Sequence, residues 1–138
     1  MTHAEGRPNR VVGGLGITWS RALLALFFSI GGLMHFVAPG VYVAIVPPWL
    51  PNSKLLVLLS GVAEIMGGLG ILHPATRRLA GWGLIALLVA VFPANVQMLH
   101  LAYVSHASAL WKFALWLRLP LQIPLVWWVW RVAARRAP

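Results

Sequence analysis

Few residues in this chain can do chemistry, and most of those that can are embedded in long apolar runs. Of 138 residues, 60% are hydrophobic and 9% charged, with 11 Lys or Arg against two acidic residues, Glu5 and Glu64. Glu64 stands in the middle of the run Ser60-Gly-Val-Ala-Glu-Ile-Met-Gly-Gly-Leu-Gly70. An ionisable group in such a setting turns inward and is by default a candidate for function. On a helix, Ser60, Gly61, Gly67 and Gly68 share its face. Residues that small let a neighbouring helix come close, so Glu64 is expected on a packed interior face.

Arg118 is the complementary group. If the second and fourth apolar runs enter from one side near residues 54 and 109, Glu64 lies about 15 Å and Arg118 about 13 Å along them. An isolated charge in hydrocarbon is unfavourable and a hydrogen-bonded pair is tolerated. A Glu64–Arg118 pair is therefore expected, serving either a site or helix register alone. Gln122 is one turn beyond Arg118, Asn95 and Gln97 follow Pro93, and His35 and His100 lie near the same ends of their runs. The candidate ligand-binding pocket is thus Glu64, Arg118, Asn95, Gln122, His35 and Gln97. Two readings stand for its amides. Pro93, Pro120 and Pro124 each remove a helical donor, and the amides satisfy the carbonyls left over. Alternatively they line a wet or ligand-filled cavity.

The same inventory excludes much. Without Cys there are no disulfides, thiol chemistry or Cys-based metal sites. The histidines and Glu64 lack metal-ligand spacing, so no metal is expected. His35 and His100 could flank a haem, but two histidines at similar depth are weak grounds and haem is disfavoured. His3, His73 and His106 read as tail and loop residues. There is no nucleophile–base arrangement and no P-loop, and Gly13, Gly14 and Gly16 do not form a dinucleotide fingerprint. No self-contained catalytic motif is present, and catalytic residues stay unassigned.

The elements that must position these groups are membrane spans. Apolar runs cover about 18–38, 54–72, 79–101 and 109–130, each enough to cross a ~30 Å hydrocarbon core as a helix. The expected fold is an all-α membrane protein, a four-transmembrane-helix bundle in one domain (18–130). A tail (1–17) precedes it and a basic tail (131–138) follows. Arg7, Arg10, Arg77, Arg78, Arg131, Arg135 and Arg136 fall on one side, against Lys54 and Lys112 on the other. The positive-inside rule then makes both termini cytoplasmic, and a multi-pass protein of the bacterial inner membrane is expected. Net charge +9 reflects that topology and anionic lipid rather than nucleic acid. Arg21 is expected to snorkel towards the headgroups. No A-x-A-like site follows the first run, so that helix is expected to be retained. The Pro-rich loop Val46–Pro51 reads as an interfacial anchor through Trp49, with a lid over the bundle as the alternative.

Gly31-Gly32 with His35-Phe36, Val46-Pro-Pro-Trp-Leu-Pro51 and Ser60-Gly-Val-Ala-Glu-Ile65 resemble the DoxX family of small membrane proteins. Thr76-Arg-Arg-Leu-Ala-Gly-Trp82, Val91-Phe-Pro-Ala-Asn95 and Leu117-Arg-Leu-Pro-Leu-Gln122 extend the resemblance over about residues 17–131. It implies four transmembrane helices and an association with redox chemistry, in some members with quinones. It assigns no catalytic residue here. The expectation is binding of a quinone or other small lipophilic molecule, with electrons coming from a soluble or membrane redox partner. Such a protein could be a subunit of a quinone-linked oxidoreductase. The alternative is a non-catalytic membrane subunit docking a soluble redox enzyme, with a small transporter behind both. A homo-oligomer is compatible with all of these.

Overall fold

The computed structural model describes residues 11–12 and 17–134. Arg7, Arg10, Arg135, Arg136, His3, Gly13, Gly14 and Gly16 lie outside the described residues. A two-residue ladder pairs β1 (Val11–Val12) with β2 (Ile17–Thr18). The helices are α1 (Trp19–Val37), α2 (Pro39–Ala44), α3 (Ser53–Gly70), α4 (Arg77–Val104) and α5 (Ala109–Val129). Past α5 the chain widens into a π turn, Trp130–Ala134.

Four of these helices are long and apolar enough to cross a membrane. They coincide with the four expected spans to within three residues at their ends. Only 28% of the first span and 11% of the last are buried inside the bundle. Large apolar side chains such as Leu23, Phe27, Leu79 and Ile123 point outward, a surface suited to lipid rather than water. The short α2 was not foreseen. It begins where Pro39 supplies a helical φ without needing a donor.

Local chemistry sets the ends. Thr18 caps α1 by accepting from the Arg21 amide at 3.4 Å, and Ser108 caps α5 by accepting from the Trp111 amide at 3.2 Å. Between α3 and α4, the Thr76 hydroxyl donates to the Gly70 carbonyl (2.8 Å) and Arg77 Nε to that of Ile71 (3.3 Å). These bonds occupy carbonyls that the end of α3 leaves without helical partners.

The packing follows from where the sequence is small. A Cβ on Gly32 would stand 2.6 Å from the Gly61 carbonyl oxygen, and one on Gly61 would stand 2.8 Å from the Gly32 oxygen. Further along, a Cβ on Gly68 would stand 3.0 Å from the Ala25 carbonyl oxygen. The antiparallel pair α1–α3 is thus in backbone contact, as small residues permit. Gly67 receives Leu84, Gly70 receives Ala80, and Gly81 receives Ala133 and Ala134 of the π turn. Leu24, Phe28, Ile71, Leu84 and Val129 fill the core at that end. Trp128 Nε1 donates to Ser20 Oγ at 2.7 Å, tying α5 to the start of α1. A second, smaller core of Leu99, Ala102 and Leu115 joins α4 and α5 near their shared turn. No comparable packing joins α1 to α5 along their length. The ring α1–α3–α4–α5 is therefore closed at the Trp128 end and parted along one seam.

Candidate functional site

Above the Leu24–Phe28–Val129 floor, the two helical hairpins flank an open-sided cavity of about 950 Å³. That is at the upper end of the ~300–1,000 Å³ usual for small-molecule sites. Its walls are mostly apolar, with Phe27 and Phe28 from α1, Leu87 and Val91 from α4, and Leu121 and Leu125 from α5. Ile45, Val46, Pro47 and Leu50 close it from the α2 side. The Pro-rich loop is therefore a cover as well as a candidate anchor: Pro47 is buried while Trp49 is 70% exposed.

The polar groups converge on this cavity. His35, Glu64, Asn95, Arg118 and Gln122 all line it, as the sequence predicted. Gln97 and His100 do not. Both are on α4 beyond Asn95, with Gln97 half-buried and His100 exposed. His35 and His100 are accordingly not brought to one site. Sequence reasoning missed Tyr42, which comes in on the unforeseen α2, and gave Ser60 no role in the pocket.

The pairing inside differs from expectation. The acid closest to a basic group is Glu64, with Oε1 3.7 Å from His35 Nε2. Arg118 stands outside ion-pair distance of Glu64, yet it acts on that carboxylate electrostatically together with His35. It lines the same cavity from α5, about 13 Å along that helix from Ala109. The reason is the lean of side chains. A helical Cα–Cβ bond tilts towards the helix N-terminus. His35 on α1 therefore leans into the bundle while Glu64, on the antiparallel α3, leans out to meet it. Arg118 runs the same way as Glu64 and leans with it.

His35 is held tightly. Its ring is 6% exposed, lies with its centroid 4.0 Å from that of Tyr42, and its Nδ1 is 3.0 Å from the Val57 carbonyl oxygen. A carbonyl only accepts, so Nδ1 carries a hydrogen. Nε2 then faces Glu64 Oε1 at 3.7 Å, within electrostatic reach but beyond hydrogen-bond length. Gly31 makes room for this acid: a Cβ there would be 2.8 Å from Glu64 Oε2.

The amides form a second, self-satisfied unit. Asn95 Nδ2 donates to Gln122 Oε1 (3.0 Å), and Gln122 Nε2 donates to the Leu88 carbonyl (2.6 Å). Leu88 adjoins Val89, whose carbonyl loses its helical donor to Pro93. Gln122 therefore bonds the carbonyl next to the one that Pro93 frees, on the cavity wall. Arg21, at heptad spacing before Phe28 and His35 on α1, is half-buried. Elsewhere Trp116 Nε1 donates to the Tyr103 hydroxyl at 3.0 Å, and Lys112 Nζ lies 4.8 Å from the same ring, locking the α4–α5 turn.

No curated protein and no solved structure matches the chain. One family model, described as a domain of unknown function (DUF8561), matches residues 24–133. That stretch holds nearly all of the four long helices and every residue of the cavity, and the chain belongs to this DUF8561 family.

Proposed function

We propose that the protein is a multi-pass membrane protein that holds a small lipophilic molecule, of the quinone class or similar in shape, inside its bundle. The observation that carries this reading is the cavity: about 950 Å³, apolar-walled, with His35, Glu64 and Arg118 gathered on one lining. Apolar walls with a few convergent polar groups are the ordinary make-up of a ligand site. The resemblance to DoxX proteins supplies the redox side, in which electrons come from a partner protein. The His35–Glu64 pair would then hold or pass the proton that accompanies reduction of a quinone oxygen. Arg77, Arg78 and Arg131 support a cytoplasmic placement of both termini in a bacterial inner membrane, with the α2 side of the cavity facing outward.

The test is native mass spectrometry and lipid extraction of protein purified in mild detergent, with a visible spectrum and a quinone titration. A bound lipophile that disappears in Ala94→Phe, which fills the cavity from α4, is the expected result. Protein that binds no quinone yet retains a soluble oxidoreductase would move the assignment to a membrane scaffold. Reporter fusions give the topology: a cytoplasm-active reporter should work at both ends, and a periplasm-active one at the C-terminus would overturn the orientation.

A further inference from the structure

The openings of the cavity lie along the membrane-crossing part of the bundle. Phe27 on α1 and Leu121 on α5 both line it, yet they are 55% and 54% exposed. A residue that is at once cavity wall and outer surface stands at a mouth. Counted from the end where Trp128 donates to Ser20, Phe27 and Leu121 each lie about 12 Å along their helices, within a ~30 Å hydrocarbon core. They stand at one level on the two sides of a seam where α1 and α5 are not packed together. On the α3–α4 side, Leu59 and Ala90 also line the cavity and are exposed, but those helices pack through Gly67 on Leu84 and Gly70 on Ala80. At the α2 end, Ile45, Val46, Pro47 and Leu50 cover the cavity, and Tyr42 lies on His35. The approach from water is covered and the approach from lipid is open.

The polar groups are set back from this mouth. By the same count His35 is about 24 Å along α1 and Arg118 about 17 Å along α5. A guest at the seam meets apolar side chains first and polar ones further in, towards α2. Resting on the lipophile-site reading above, we infer that the guest is a chain-bearing lipid drawn sideways from the bilayer between α1 and α5, and not a water-borne compound. Its polar head lies by His35 and Arg118, and its chain stays in the seam between Phe27 and Leu121. Such a chain passes from lipid to an apolar gap without crossing water, so the transfer gives up no apolar burial.

The test uses a benzoquinone whose decyl chain ends in a diazirine, photolysed with the protein in phosphatidylcholine vesicles, with adducts mapped by peptide mass spectrometry. Excess decylubiquinone separates labelling from the site and labelling from bulk lipid. Adducts at Phe27 and Leu121 that the competitor removes are expected. Ile123, exposed on α5 and outside the cavity lining, should carry only adducts that the competitor leaves. Phe27→Cys with Leu121→Cys, joined by a reducible bismaleimide before the probe is added, should lose the competed adducts along α1 and α5 and regain them on reduction. Competed adducts at Leu59 and Ala90 instead, or labelling unchanged by the closed seam, overturn the α1–α5 route while leaving the site in place. Competed adducts confined to residues 45–50 overturn sideways entry. No competed adduct despite a quinone retained in mild detergent overturns the placement of the chain, and with no quinone retained the site reading itself falls. The map on the parent protein stands even if the linked variant does not fold.

Discussion

Gly61→Ala asks whether α1 and α3 really meet backbone to backbone. The new methyl would stand 2.8 Å from the Gly32 carbonyl oxygen, 2.8 Å from His35 Cβ and 2.9 Å from Phe36 Cε2, where ordinary contact begins at 3.4 Å. The first two obstacles are fixed to backbone and cannot rotate aside, so the helices must part by roughly 0.6 Å. Overpacking of this kind costs about 1–3 kcal/mol. Parting also stretches the His35–Val57 hydrogen bond from 3.0 Å beyond useful length, which adds about 1 kcal/mol. The expected loss is therefore about 2–4 kcal/mol, read by reversible unfolding in mixed micelles. Two other glycines serve as controls. A methyl on Gly83 would have nothing within 4 Å, so Gly83→Ala should stabilise α4 by up to about 1 kcal/mol through helix propensity. Gly31→Ala meets only the tip of the flexible Glu64 side chain, so it should leave stability within about 1 kcal/mol of the parent while swinging that acid off His35, visible as a shift in the His35 ring ¹⁵N signals. A Gly61→Ala protein as stable as Gly83→Ala would refute the close α1–α3 contact.

Gln122→Leu should destabilise by about 1–3 kcal/mol by orphaning Asn95 and the Leu88 carbonyl, and a cycle with Asn95→Leu should return a coupling of about 0.5–1.5 kcal/mol; additive losses would mean the two amides do not share a bond. Trp128→Phe removes the 2.7 Å tie to Ser20 while keeping an aromatic ring. Spin labels placed at residues 27 and 121, in a chain free of native Cys, should then report a longer or broader distance. An unchanged distribution would show that the seam is held elsewhere.

The spans were legible because about twenty consecutive apolar residues admit one reading, whereas the caps at Thr18 and Ser108 emerged only from the structure. Glu64 was found because an acid among Ser60, Gly61, Gly67 and Gly68 has little choice of face. Its partner was not found. Depth counted from span ends places Cα atoms, whereas the contact with His35 is set by opposite side-chain lean on antiparallel helices. Tyr42 was hidden for a different reason. Six residues of α2 are too few to show a 3.6-residue period, and only the chain's return over the bundle brings that ring to His35. Gln97 was drawn into the pocket by proximity in sequence to Asn95, although two residues along a helix is a rotation of about 200°.

The π turn at Trp130–Ala134 is one residue wider than an α-turn, and the Ala133 methyl and the Ala133–Ala134 peptide lie against Gly81. The turn is thus a stored insertion. Deleting a single residue there would let the helix run on unbroken while the cavity above stayed as it is. A one-residue change of length can be taken up at this turn without re-registering the helices that carry His35, Glu64 and Arg118.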